Sequence, residues 1–244
     1  DVVAGRLVFA AGDPTQLSEL YDGGSALAAG DPEAVGRRLT GVGDAFAAGR
    51  ELMPATRFTA VSADGSEVDA WIMRPAGFEQ GAKYPTLLNI HGGPFGQYGV
   101  GFFDEFQVYC GAGYAVVFSN PRGSSGGTEE WARAIRGGPE TDGGDGWGSV
   151  DYEDCLAVVD EAVRRFDFVD ADRLGVIGGS YGGYMTSWIV GHTDRFKAAV
   201  SERAVNNFDS QWGSSDFGWD FKGYTDAFLF EDVDLYLKMS PSTY

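Results

Sequence analysis

The residues Gly178-Gly179-Ser180-Tyr181-Gly182-Gly183 place one hydroxyl between glycines two positions away on either side, the G-x-S-x-G spacing. That arrangement suits nucleophilic attack on an acyl carbon. A strand that runs into a helix through a sharp turn forces the serine into a strained backbone conformation and lifts its Oγ above the sheet; glycines let the two elements pack that closely. An apolar, strand-like run over 173–177 precedes the motif and a helix-like stretch follows it, so the required setting is present. Ser180 is the candidate nucleophile. A glycine-rich turn with an idle serine is the alternative, and the flanking elements argue against it.

Acyl transfer builds negative charge on the carbonyl oxygen, and a main-chain N–H aimed at that oxygen lowers the barrier by about 2.7–4 kcal/mol. The segment His91-Gly92-Gly93-Pro94 closes the apolar run 86–90 and can supply one such donor. The pair is assigned to the N–H groups of Tyr181, directly after the nucleophile, and of Gly93; a plain strand-end turn is the other reading of the loop. Neither of the two histidines fits the role of base. His192 lies at the far end of the helix that the serine opens, roughly 15 Å away at 1.5 Å per residue. His91 precedes the serine, against the usual order of serine, acid, histidine. Glu202 is a conceivable acid with many blander uses.

Two other groups bear on the site. Asn120-Pro121-Arg122-Gly123-Ser124-Ser125 follows the next strand, so Arg122 either contacts a substrate carbonyl or braces its own loop. An aromatic stretch holds Phe208, Trp212, Phe217, Trp219, Phe221, Tyr224, Phe228 and Phe230; Phe208 and Trp212 are expected to wall an apolar substrate pocket, with core packing as the rival. The acidic run Glu140, Asp142, Asp145, Asp151, Glu153 and Asp154 matches no calcium loop and reads as helix capping and solvated charge. Cys110 and Cys155 sit on apolar faces, outside any C-x-x-C or metal-ligand spacing, so no metal is expected and both read as small buried hydrophobes.

The elements that must position these groups alternate. A hairpin of strands over 57–61 and 68–73 is followed by strands at 86–90, 114–119, 173–177 and 197–201 and by helices at 102–111, 150–166 and 183–190. Such alternation predicts an α/β fold, a mostly parallel sheet with helices on both faces and reacting groups at the carboxyl edge. The helix at 150–166 is expected to bury Tyr152, Cys155, Leu156, Val159, Val163 and Phe166. Residues 1–50 differ in texture, with extended segments at 2–10 and 17–21 and few aromatics, as in part of an all-β unit.

A chain of 244 residues with a net charge of −18 is poorly suited to nucleic-acid phosphates or an anionic membrane surface. No apolar run approaches the roughly 18 residues of a membrane span, and a cytoplasmic location is expected.

With elbow and loop in this order, the chain resembles the prolyl oligopeptidase family of serine peptidases, in its acylaminoacyl-peptidase-like branch. The resemblance rests also on Gly144-Asp145-Gly146-Trp147-Gly148, Asp151-Tyr152-Glu153-Asp154, Gly191-His192-Thr193-Asp194-Arg195-Phe196 and Ser240-Pro241. It implies an α/β-hydrolase catalytic domain over 51–244, incomplete at its C-terminus, preceded over 1–50 by the end of an N-terminal β-propeller. It implies short peptide substrates and no cofactor. The family carries its triad aspartate and histidine further along than Tyr244, so a C-terminal segment supplying both is expected. Homo-oligomerisation stays open, as do two other functions: a carboxylesterase of the same fold, and a hydrolase-fold binding module without catalysis.

Overall fold

In this computed structural model residues 2–3, 5–24, 36–137, 144 and 146–244 are described. Strands β1 (Val2–Val3), β2 (Arg6–Asp13), β3 (Gln16–Gly23) and β4 (Arg37–Arg38) form an antiparallel sheet in that order. Phe9 stacks on Tyr21 across it, with ring centroids 5.6 Å apart. The buried Glu19 carboxylate accepts from the Thr40 hydroxyl and the Gly43 N–H, which hold its pKa at about 2. A single helical turn, α1 (Asp44–Ala47), leads toward the second sheet.

That sheet begins with the expected hairpin, β5 (Ala55–Val61) and β6 (Glu67–Met73), closed by a turn in which Asp64 Oδ1 accepts from the Ser66 N–H at 2.9 Å. It continues through β7 (Tyr84–Ile90), α2 (Asp104–Gly111), β8 (Ala115–Ser119), α3 (Glu129–Arg133), α4 (Val150–Arg165), β9 (Val169–Gly179), α5 (Tyr181–His192) and β10 (Ala198–Glu202). The strand order is β10-β9-β7-β8-β6-β5, parallel from β10 to β8 and antiparallel beyond.

Alternation along the strands divides the core. Ala70 and Ile72 of β6 and Ala115 and Val117 of β8 face α4 and α5, whereas Trp71, Met73, Val116 and Phe118 face Phe106 and Cys110 of α2. Helices therefore cover both faces, and a central strand such as β8, buried at every residue, reads as a continuous apolar run. At the far edge, all five residues of β10 are exposed. Helix α4 corrects one expectation: its buried residues are Asp151, Asp154, Cys155, Val158, Val159 and Ala162, a face rotated by one position from the one expected. Both cysteines are free and buried. The acidic residues Glu140, Asp142 and Asp145 lie outside the described residues.

Past β10 the chain forms α6 (Phe208–Ser214), a 3-10 turn (Gly218–Phe221), α7 (Lys222–Thr225) and α8 (Val233–Met239). Phe208, Phe221, Leu235, Tyr236 and Met239 join the core on the α5 side.

Candidate active site

Ser180 joins β9 to α5 with φ 59° and ψ −118°. A non-glycine residue held there stores about 1–3 kcal/mol of strain, which the surroundings must overdetermine. They do so at both ends of the residue: the Ser180 N–H donates to the Glu202 carbonyl at 2.9 Å, and the Ser180 carbonyl accepts from the Tyr184 N–H at 2.9 Å. Close approach explains the neighbouring glycine. A Cβ on Gly182 would lie 2.0 Å from the Ile90 carbonyl oxygen at the end of β7.

The loop after β7 meets the serine directly, since a Cβ on Gly92 would stand 3.5 Å from Ser180 Cβ. Gly93 has φ +141°, and a side chain there would run into the Phe95 and Gly96 nitrogens at 2.7 Å. His91 anchors this loop. Its Nδ1–H donates to the Gly92 carbonyl at 2.8 Å, and burial lowers its pKa and favours the neutral ring. The Ser124 Oγ stands 2.8 Å from Nε2 and 2.6 Å from the Pro121 carbonyl, so its one proton lies between two acceptors. The same Pro121 carbonyl accepts from the Trp131 Nε1–H at 3.1 Å and the Ser124 N–H at 3.0 Å. With both ring nitrogens engaged, His91 joins two loops of the catalytic edge. Asn120 and Tyr98 tie the same loops by reciprocal bonds of 2.8 and 2.9 Å.

In front of Ser180 lies a cleft of about 330 Å³, walled by His91, Gly92, Tyr98, Glu105, Glu202 and Arg203. Gln97 and Tyr98 also line a second depression, of about 440 Å³, with Trp71, Asn120 and Trp131. The Glu202 carboxylate is engaged by Arg203 at 3.0 Å. His192 is removed from this edge: its Nδ1 binds the Trp188 carbonyl at 2.7 Å in the last turn of α5.

Two carboxylates expected to be solvated are fully buried. Asp154 accepts from the Arg122 N–H at 2.8 Å, from Nε at 3.0 Å and from Nη2 at 2.7 Å, while Arg122 Nη1 reaches Asp64. Arg122 thus braces its loop against α4, with its guanidinium committed to carboxylates and away from the cleft. Asp151 accepts from the Tyr181 hydroxyl at 2.6 Å and from the N–H groups of Tyr152 and Gly148 at 3.0 and 3.2 Å. Desolvation raises the Asp151 pKa to about 6 against these donors.

The aromatic wall is corrected too. Phe208 has no exposed surface; its ring packs edge-on against Trp147, Tyr184 and Phe221 at 5.3–5.7 Å. The cause is local: the Asn207 side chain caps α6 at the Ser210 N–H, and the Phe208 N–H is held by Ser240 Oγ, which turns the ring inward. Trp212 is half-buried among Trp219 and Phe230. Neither lines the Ser180 cleft. Sequence reading proposed Ser180, Tyr181 and Gly93; the structure sets Ser180 against Gly92 of the same loop and adds Asp151, Tyr98 and Asn120 around it. The signal for Asp151 was its register with Asp154 and Val158 on one face of α4.

Comparison with known proteins gives a consistent set of likenesses. Residues 100–244 match the model of the prolyl oligopeptidase family. The chain is 43% identical over 232 residues to an uncharacterized peptidase, YuxL, of Bacillus subtilis, covering 95% of this chain and 33% of that protein. It is 32% identical over 161 residues to dipeptidyl-peptidase 5 of Porphyromonas gingivalis, covering 64% of this chain and 22% of that one. Among solved structures, the acylaminoacyl peptidase of Pyrococcus horikoshii superposes with a TM-score of 0.84 at 31% identity, over 98% of this chain and 36% of its own. The chain therefore spans between about a fifth and just over a third of the length of these relatives. The sheet and its helices are those of an α/β-hydrolase fold. Among the described residues no helix is long and apolar enough to cross a membrane.

Proposed function

The chain belongs to the prolyl oligopeptidase family, and from that premise we propose that it carries the nucleophile and oxyanion hole of a serine peptidase acting on short peptides. The observation that carries the reading is the strained Ser180 at the strand-to-helix turn, in contact with the His91–Pro94 loop at the head of a cleft. In this reading Ser180 Oγ gives its proton to the triad histidine and attacks the peptide carbonyl, the main-chain N–H groups of Tyr181 and Gly93 receive the oxyanion, and the C–N bond then breaks as the amine leaves with that proton, leaving the acyl-enzyme. A histidine and an aspartate from outside these 244 residues complete the triad. The polar cleft and the depression beyond it give room for an extended peptide on either side of the bond. Residues 1–50 are the end of a β-propeller and 51–244 the catalytic domain.

A fluorophosphonate probe tests the assignment. In the complete protein it should label Ser180 stoichiometrically, and Ser180→Ala should abolish both labelling and turnover of a peptidyl-nitroanilide. The 244-residue chain alone should label slowly, because His91 is bound at both nitrogens and His192 sits in the last turn of α5. Fast labelling of that chain would show that a residue within it serves as base. Turnover of a simple nitrophenyl ester without turnover of the peptide would favour an esterase.

A further inference from the structure

Tyr181 is the first residue of α5, so its main-chain N–H has no acceptor within the helix and is available to a ligand. Its side chain points the other way, into the core. There the hydroxyl donates to Asp151 Oδ2 at 2.6 Å, with the Trp147 ring edge-on against the phenol at a centroid distance of 5.0 Å. Asp151 is fixed in turn by the N–H groups of Gly148 and Tyr152. We infer that Asp151 is a positioning residue: through the Tyr181 hydroxyl it holds the Tyr181 N–H on the point where the acyl oxygen gains charge.

The inference rests on the serine-peptidase reading and adds to it. As a device for stability the pair is poor, because a buried polar pair is commonly matched or bettered by apolar residues of similar volume. What it supplies is direction. A charge-assisted hydrogen bond sets the angle of the phenol and, through one Cα, the angle of the adjoining N–H, whereas a phenylalanine could rock in the same space. The groups facing Asp151 are Tyr181 and Tyr184 from α5 and Asp154 and Cys155 from its own helix. Burial raises the Asp151 pKa to about 6, so the carboxylate accepts at full strength above that pH and more weakly below it.

The test uses the complete protein and a peptidyl-nitroanilide. Tyr181→Phe and Asp151→Asn should lower kcat roughly tenfold, less than the 10²–10³ of a lost oxyanion donor, with KM changed by less than about threefold. Affinity for a peptide boronic acid, which mimics the tetrahedral intermediate, should fall in step with kcat/KM, and affinity for a product peptide should hold. The ratio of wild-type to Tyr181→Phe kcat should shrink toward unity below about pH 6, as protonation of Asp151 weakens the wild-type bond. A lowered melting temperature with unchanged kcat per titrated Ser180 would overturn the inference, as would a ratio independent of pH. Should Asp151→Asn not fold, Tyr181→Phe, which differs by one oxygen, carries the test alone. Ser180→Ala separates the two ideas: full activity there overturns the peptidase reading, and an inactive Ser180→Ala beside a wild-type Tyr181→Phe overturns only the role of Asp151.

Discussion

Gly182→Ala is a one-carbon change whose effect can be worked from the structure. The added Cβ would lie 2.0 Å from the Ile90 carbonyl oxygen, 2.8 Å from its carbon and 2.9 Å from the His91 oxygen, all main-chain atoms. It falls about 1.4 Å short of ordinary contact, and no side chain can swing aside. Either α5 moves off the end of β7 or the elbow opens, and overpacking of this kind costs about 1–3 kcal/mol or more. Because the same shift separates Ser180 from the His91–Pro94 loop, and a misplacement of about 1 Å can cost 10²-fold in rate, labelling by a fluorophosphonate should slow about a hundredfold. Gly213→Ala is the control: it lies within α6 with nothing within 4 Å of the added carbon, and should be neutral or stabilise by about 0.4–1 kcal/mol. Urea unfolding and probe kinetics on both variants of the complete protein decide the matter. A Gly182→Ala enzyme with wild-type stability and labelling rate would refute the reasoning.

Other outcomes follow from the same contacts. Gly93→Val, at φ +141° with main-chain nitrogens 2.7 Å from the new Cβ, should reduce kcat by roughly 100-fold or more, and a fully active, folded variant would remove Gly93 from the oxyanion hole. Arg122→Ala leaves Asp154 buried without its guanidinium and should cost about 3–5 kcal/mol in urea unfolding; a loss below 1 kcal/mol would contradict the bracing role. Asp151 binds its proton more tightly folded, at a pKa of about 6, than unfolded, near 3.8, so its ionisation removes stability as pH rises through that window. The loss, on the order of 3 kcal/mol, should be absent below about pH 4 and complete above about pH 7, so the stability of Asp151→Asn relative to wild type should rise across the window; a flat difference would refute it.

Reading the sequence located the strands and helices well because the apolar periods are strong. The run 115–118 has no polar interruption, 86–90 is broken only by Thr86 and Asn89, and the hairpin carries its own turn residues. The elbow was legible because its glycines have a single geometric explanation. What stayed hidden depends on long-range partners. Asp151 and Asp154 looked like helix-start charges, since their donors, Tyr181 and Arg122, are 30 and 32 residues away. Arg122 read as either bracing its loop or meeting a substrate for the same reason, and its partners Asp154 and Asp64 select the bracing. Phe208 and Trp212 leave the catalytic edge in sequence order, but the cap at Asn207 turns the chain before the ring can face the cleft.

The outer strand β10 has a colloidal consequence. Among the described residues it pairs only with β9, every one of its residues is exposed, and its sequence Ala-Ala-Val-Ser-Glu places a single charge at the last position. Edges of this kind invite pairing with another chain unless something holds the partners apart. For the isolated chain that something is its net charge of −18, a repulsion that acts over about 10 Å at 0.1 M salt and only about 3 Å at 1 M. Salt, which leaves its hydrophobic core intact, thus sets whether such a chain stays dispersed or grows into strand-paired assemblies, and dilution in weak buffer is the condition that keeps it single.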